Sequence, residues 1–246
     1  MTMIALVTGA TSGIGRAVAV KLSQDGFHVV VGGRTAERGA ATVALCKSAE
    51  FSAFDTTVEA DWARVTGDIA ARHGRLDAVV NSAGNFFSKS LTETSLAEFR
   101  ALWEADVESV VMGTKWGLRA MRDTGSRGSI VNISSLAGVI GLEDCVAYCA
   151  AKAAVTHFSK IAAVEAGDLV PPCRVNSLNP GVIMTEMITN AYGDSAEVRE
   201  FAMDGNALRR PGEANDIAAA AAFLAGPRSR FVTGTAMIVD GGRGAD

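Results

Sequence analysis

Residues 5–15 read Ala5-Leu6-Val7-Thr8-Gly9-Ala10-Thr11-Ser12-Gly13-Ile14-Gly15. The apolar run ends at Thr8 and reads as a short buried strand. A helical pattern begins at Gly13. Glycines at such a junction let the backbone turn tightly and approach a ligand without a Cβ in the way. The helix N-terminus that follows offers free N–H groups and the positive end of the helix dipole, which together suit a pyrophosphate. The spacing is G-x-x-x-G-x-G rather than G-x-G-x-x-G. What gives it weight is its place, with a strand before it and a helix after it at the start of a βαβ unit. Gly15 is expected to let the helix pack close to the strand. Gly9, Thr11, Ser12, Gly13, Ile14 and Gly15 are therefore candidate cofactor-binding residues.

Outward from this loop, short apolar runs alternate with longer helical patterns. Strands are expected at 5–8, 29–32, 52–54, 77–81, 129–134, 174–178 and 236–239, and helices at 13–25, 36–48, 59–73, 96–121, 147–167 and 214–225. Several strands show no polar alternation, as strands buried on both faces require. The βαβα order predicts a single-domain Rossmann fold over residues 1–246, a doubly wound parallel seven-stranded sheet with helices on both faces. The stretch 185–210 breaks the rhythm. It is polar, carries Gly193 and Gly205, and reads as a substrate lid.

Composition excludes several classes. The net charge is −4 over 246 residues with charges evenly scattered, so no basic footprint for nucleic acid or an anionic membrane is present. No apolar run reaches the roughly 18 residues of a membrane span. The apolar N-terminus has no basic leader and runs into a glycine motif that needs it as a strand, which argues against export and for a cytoplasmic protein. Cys46, Cys145, Cys149 and Cys173 form no CxxC pair and read as free thiols. His28, His73 and His157 are far apart in the chain and match no metal-ligand spacing, so no metal is expected.

Cofactor choice is read at the end of the second strand, Val31-Gly32-Gly33-Arg34. An NAD site places a carboxylate there for the adenine ribose. Here a glycine and then a guanidinium stand in its place. Arg34 suits a 2′-phosphate, which it can bond in a forked geometry. NADP(H) is favoured, with NAD(H) the second choice. Arg38, one helical turn later, offers a second positive charge.

The chemistry is read from Ser135, Tyr148 and Lys152. Ser135 follows a buried strand, and Tyr148 and Lys152 share one helix face at i and i+4. A phenol ordinarily titrates near pH 10, and a neighbouring ammonium favours its ionised form. The pair is thus a proton donor and acceptor for an alcohol oxygen, which the Ser135 hydroxyl can orient.

These pieces, together with Asp55, Asn81-Ser82-Ala83-Gly84, Tyr148-Cys149-Ala150-Ala151-Lys152, Asn179-Pro180-Gly181 with Thr185, and Val239-Asp240-Gly241-Gly242, resemble the short-chain dehydrogenases/reductases over essentially the whole chain. The resemblance implies Asp55 and Thr56 near the adenine and Asn81, Ala83 and Gly84 beside the cofactor. It implies Lys152 on the nicotinamide ribose, and Pro180, Gly181, Val182 and Thr185 along the nicotinamide. It also implies a homotetramer paired through the long helices near 96–121 and 147–167.

One position departs from the family pattern. Asp106 stands where an asparagine usually helps hold a water in a proton relay, and an ionised aspartate accepts hydrogen bonds but donates none. The substrate implied is a secondary alcohol or ketone. Phe86, Phe87, Leu136, Val139, Ile140, Leu142 and Cys145 are expected to face it and to suit apolar substituents. The segments 59–62 and 108–113 look similar to bacterial hydroxysteroid dehydrogenases. A 3-oxoacyl-thioester reductase is the alternative, although Ser129 and Pro171 stand where basic residues for docking an acidic carrier are expected. A non-catalytic nicotinamide-binding regulator would be expected to have lost Tyr148 or Lys152, and both are present.

Overall fold

The computed structural model describes residues 2–245. Seven parallel strands form one sheet in the order β3-β2-β1-β4-β5-β6-β7. They are β1 (Met3–Val7), β2 (Phe27–Gly33), β3 (Ala49–Ala53), β4 (Ala78–Asn81), β5 (Ser129–Ile133), β6 (Arg174–Pro180) and β7 (Ala236–Val239). The chain reverses direction across the sheet between β1 and β4, where Val7 pairs with Val31 on one side and with Val80 on the other. At such a switch point the loops after neighbouring strands diverge and leave a crevice at the strands' C-terminal ends.

The five inner strands are buried on both faces with a period of two, while the edge strands β3 and β7 stay partly exposed. Ala5, Val7, Val29, Val31 and Val80 pack on one side, against Val18 and Leu22 of α1 (Gly13–Gln24) and Ile217 and Leu224 of α9 (Ala214–Ala225). Ile4, Leu6, Val30, Val79 and Ile130 pack on the other, against Trp62 and Ile69 of α3 (Glu59–His73), Met121 of α5 (Ser109–Asp123) and Ala163 of α6 (Val146–Gly167). Each such aliphatic side chain removed from water stabilises the fold by roughly 1.5–3 kcal/mol before chain entropy is counted. This double-sided burial is why the strands read as continuous apolar runs.

Three expected boundaries differ. Helix α2 is Ala36–Val43 rather than 36–48, and β3 begins at Ala49. Pairing of Ala49 with Val29 and Glu50 with Val30 claims those residues for the sheet. Residues 96–121 do not form one regular helix. Helix α4 (Leu96–Trp103) passes through a π-helical turn, Glu104–Glu108, into α5. The expected lid contains two short helices, α7 (Glu186–Tyr192) and α8 (Ala196–Met203). Among the described residues no helix is long and apolar enough to cross a membrane.

Candidate active site

The C-terminal ends of the strands open into a cleft of about 440 Å³ that runs from Gly9 to Glu186. At its floor the glycine loop is shaped by contacts that leave no room for side chains. Gly9 has φ +61°, and a Cβ there would lie 2.8 Å from the Ala83 backbone nitrogen. A Cβ on Gly15 would lie 2.3 Å from the Gly9 carbonyl oxygen, which is the close helix–strand approach expected of it. Ser12 stands before the first turn of α1 without capping it through its side chain. The leading N–H groups of α1 therefore face the cleft unclaimed by a side chain at the cap, and the loop fits a pyrophosphate.

The adenine end is lined by Gly33, Arg34, Arg38, Asp55 and Thr56. Arg34 is largely exposed, with its guanidinium 3.8 Å from Asp55. Two Thr57 hydrogen bonds, at 3.0 Å from the backbone and 2.9 Å from the hydroxyl, hold the Asp55 carboxylate. The backbone bond is the main reason that its pKa lies below the ordinary value; burial opposes it and Arg34 assists. Arg38 does not point freely into the cleft. It is paired with Glu186 of α7 at 3.0 Å, so its charge is shared with that helix. A Cβ on Gly33 would meet Cγ2 of Thr11 at 2.6 Å. Backbone space, as well as charge, therefore disfavours a carboxylate there.

At the other end, Ser135 follows β5 and caps a short 3₁₀ turn, its Oγ accepting from the Ala137 N–H at 3.1 Å. The buried Asn179 side chain donates to the Ser135 carbonyl at 2.8 Å and fixes that turn. Ser134 Oγ donates to the Lys152 carbonyl at 2.8 Å and ties β5 to α6. Lys152 is almost wholly buried. Its Nζ lies 2.9 Å from Oδ2 of Asp106, 3.3 Å from the Ile133 carbonyl oxygen and 5.5 Å from the centre of the Tyr148 ring. Ser135, Tyr148 and Lys152 line the same cleft as the glycine loop.

The π turn explains how Asp106 reaches Lys152. The widened turn sets Asp106 inward, where it is completely buried. One carboxylate oxygen accepts the Asn85 N–H at 2.7 Å. The other faces the ammonium at ion-pair distance but off the angle of a hydrogen bond, and no other donor reaches it.

Burial opposes the charge of Lys152, but the Asp106 carboxylate and Tyr148 outweigh it and hold its pKa above the ordinary value. Tyr148 is also pushed up. Burial is the largest cause, Lys152 opposes it, Asp106 adds to it, and the Ser135 hydroxyl favours the ionised form. The sequence reading anticipated only the lowering by the ammonium. Asp106 cancels part of that field.

Several expected positions fall elsewhere. Asn81 is buried beneath the cleft and donates to the Asn132 side chain at 2.8 Å, and Val182 does not line the cleft. Leu136 and Cys145 belong to the core. Phe86 meets the Tyr148 ring edge-on at 5.0 Å, and Tyr192 of α7 and Phe201 of α8 extend the aromatic row at 5.8 and 6.4 Å. Tyr192, Phe201 and the Arg38–Glu186 pair have no local motif. Only the fold brings these chain-distant residues together.

A cleft that joins a glycine cradle to a Ser-Tyr-Lys cluster on a doubly wound parallel sheet is the site of a nicotinamide-dependent oxidoreductase. A family model described as enoyl-(acyl carrier protein) reductase matches residues 9–243. The chain belongs to the short-chain dehydrogenase/reductase family, whose members act on CH–OH groups. It is 36% identical over 242 residues to an NADP-dependent (R)-specific alcohol dehydrogenase of Lentilactobacillus kefiri, covering 97% of this chain and 95% of that one. It is 35% identical over 244 residues to a cyclopentanol dehydrogenase of Comamonas, covering 97% and 96%. Among solved structures, ElxO with NADP bound superimposes with a TM-score of 0.91 at 29% identity, covering the whole of both chains.

Proposed function

We propose that this protein interconverts a compact secondary alcohol and its ketone with NADP(H), using Tyr148 as proton donor and acceptor, Ser135 to orient the substrate oxygen and Lys152 to hold the field around both. The observation that carries this is the buried Lys152, 2.9 Å from Asp106 and beneath Tyr148, in the same cleft as the glycine cradle. The nicotinamide, when bound, supplies or accepts the hydride at the carbonyl carbon.

In the reducing direction Tyr148 donates its hydroxyl proton to the carbonyl oxygen as the C–H bond forms, and solvent later returns that proton. Ser135 donates a hydrogen bond to the same oxygen and aims it at the phenol. The ammonium of Lys152 stabilises the phenolate left behind. The raised pKa of Tyr148 keeps the phenol protonated at neutral pH, the form that reduction requires. Alcohol oxidation requires phenolate and rises with pH.

Glycine at position 33 and the exposed guanidinium of Arg34 support NADP(H) over NAD(H). The aromatic row Phe86–Tyr192–Phe201 supports a substrate with apolar substituents. Relatives named for (R)-specific alcohols, cyclopentanol and L-2,3-butanediol favour a compact alcohol over an acyl thioester. The exposed Ile161 and Val164 on α6 support self-association through that helix, in a homotetramer. Four free thiols suit a reducing cytoplasm.

The test is a panel of cyclic, linear and aryl ketones and their alcohols, followed through cofactor absorbance with Tyr148→Phe as control. Turnover that survives in the folded variant would overturn the assignment.

A further inference from the structure

The opposite edge of the sheet carries a second cluster. His28 lies at the start of β2, Glu50 at the start of β3 and His73 at the end of α3. Forty-five residues separate the histidines in sequence, yet their rings lie 5.0 Å apart. The sheet register sets Glu50 beside this part of β2, and the packing of α3 over the same face brings His73 up to both. Glu50 pairs with Val30 across β2–β3, and His28 shares that face of β2, on the side covered by α3.

One oxygen of Glu50, Oε1, lies 3.0 Å from Nε2 of His73 and 3.8 Å from Nε2 of His28. All three ligand atoms lie within 4.8 Å of one another. Tetrahedral zinc with bonds of about 2.0–2.1 Å separates its ligand atoms by roughly 3.3–3.5 Å, so small rotations of the rings close this set.

We propose that His28, Glu50 and His73 bind a zinc-class divalent cation that staples β2, β3 and α3 together at the sheet edge. Three observations carry this. Nε2 of His28 is buried without a hydrogen-bond partner and faces the Glu50 oxygen. The other nitrogen of the ring, Nδ1, is 2.8 Å from Ser48 Oγ, the outer contact that fixes ring orientation in metal-bound histidines. The second oxygen of Glu50 is held by Arg72, while Oε1 is hydrogen-bonded to Nε2 of His73 at 3.0 Å, the one contact within the set that a cation would replace.

The negative end of α3 also lies beside His73 and favours a cation there. Arg72 acts against the cation by its charge and for it by fixing the carboxylate. The three ligand side chains keep 21–28% exposure, so a water can complete the shell. Two imidazoles and a carboxylate with an open fourth position form a zinc-type donor set. The cluster sits at the N-terminal ends of the strands, away from the cleft, so the ion's role is structural.

The test uses chelator-stripped protein titrated with ZnCl2 by calorimetry and with Co2+ by absorption. The expected result is one ion per chain, a rise in Tm on binding, and cobalt bands without sulfur-to-metal charge transfer. His73→Gln should abolish saturable binding. Ser48→Ala, which alters only a loop hydroxyl, should weaken binding roughly 10- to 100-fold and decides the matter if His73→Gln does not fold. A sulfur charge-transfer band, undiminished binding in Ser48→Ala or His73→Gln, or no saturable binding to the parent protein would overturn the proposal.

Discussion

Replacing Asp106 with asparagine removes one buried charge and keeps the shape of the side chain. The Asn85 N–H still finds an acceptor, so the local structure should hold. The electrostatic change is large. Asp106 is one of the groups that raise the pKa of Tyr148, after burial, and it also raises that of Lys152. The Tyr148 ring centre is 5.5 Å from Nζ of Lys152, and Nζ is 2.9 Å from the carboxylate, so ring and carboxylate are at most the sum of these apart. Two unit charges about 8 Å apart in an effective dielectric of about 20 interact by about 2 kcal/mol. Solvent reaching the half-buried ring reduces this, and the phenol should titrate at lower pH.

The direction is fixed by chemistry. Ketone reduction needs the phenol and fails as pH rises through its pKa, so the alkaline limb should move to lower pH. Alcohol oxidation needs phenolate and should begin at lower pH. The assay is kcat/KM against pH in both directions, with circular dichroism and Tm to establish folding. A folded Asp106→Asn variant whose limbs stay in place or move to higher pH would refute this account. So would a folded but inactive one.

Tyr148→Phe should keep its fold and cofactor binding, measured by fluorescence titration, while turnover falls by at least ~10²-fold. The kcat/KM ratio for NADPH over NADH should favour NADPH by about ten- to a hundredfold, the worth of a charge-assisted bond from Arg34. Gly33→Asp with Arg34→Ile should reverse that ratio fully only when Thr11→Ser is added, because the Thr11 methyl occupies the space of the new Cβ. If Thr11→Ser makes no difference to the reversal, the steric part of this argument fails. Glu186→Gln frees Arg38 and should lower KM for NADPH up to about fivefold, since an exposed pair is worth at most about 1 kcal/mol, with NADH unaffected. Gly15→Ala should cost at least about 1–3 kcal/mol through overpacking against the Gly9 carbonyl, seen as a lower Tm.

The strands were legible in the sequence because burial on both faces leaves no polar alternation to confuse with a surface helix. The glycine loop was legible because strand, turn and helix follow one another within a few residues. Ser135, Tyr148 and Lys152 were legible because two share a helix face and the third follows a strand. What could not be read depends on distance in the chain. The field at Tyr148 depends on the π turn that points Asp106 inward, and a one-residue widening of a helix leaves no composition signal. Arg38 reads as a free cation until α7 folds back and places Glu186 against it. The histidines look isolated because His28 and His73 meet only when α3 packs across the face of β2. Residues 44–48 read as helix and 49–51 as a connection because a short edge strand of mixed composition has no period of its own.

The residues proposed to handle the proton lie on α6, the π turn and the turn that follows β5, whereas α7 and α8 hang on a separate segment between β6 and α9. The Ile183–Gly212 bridge closes the base of that segment, which is joined to the rest by the Arg38–Glu186 pair, the row of rings ending at Phe201 and the grip of Arg243 on the Phe201 and Asp204 carbonyls. Such an attachment makes residues 186–203 an exchangeable cassette. If that cassette covers the substrate, as its row of rings toward Phe86 supports, sequence drift or deliberate grafting within it would retune which molecules are admitted and leave Ser135, Tyr148 and Lys152 in place. A laboratory search for new substrates would do best to randomise there and leave the sheet untouched.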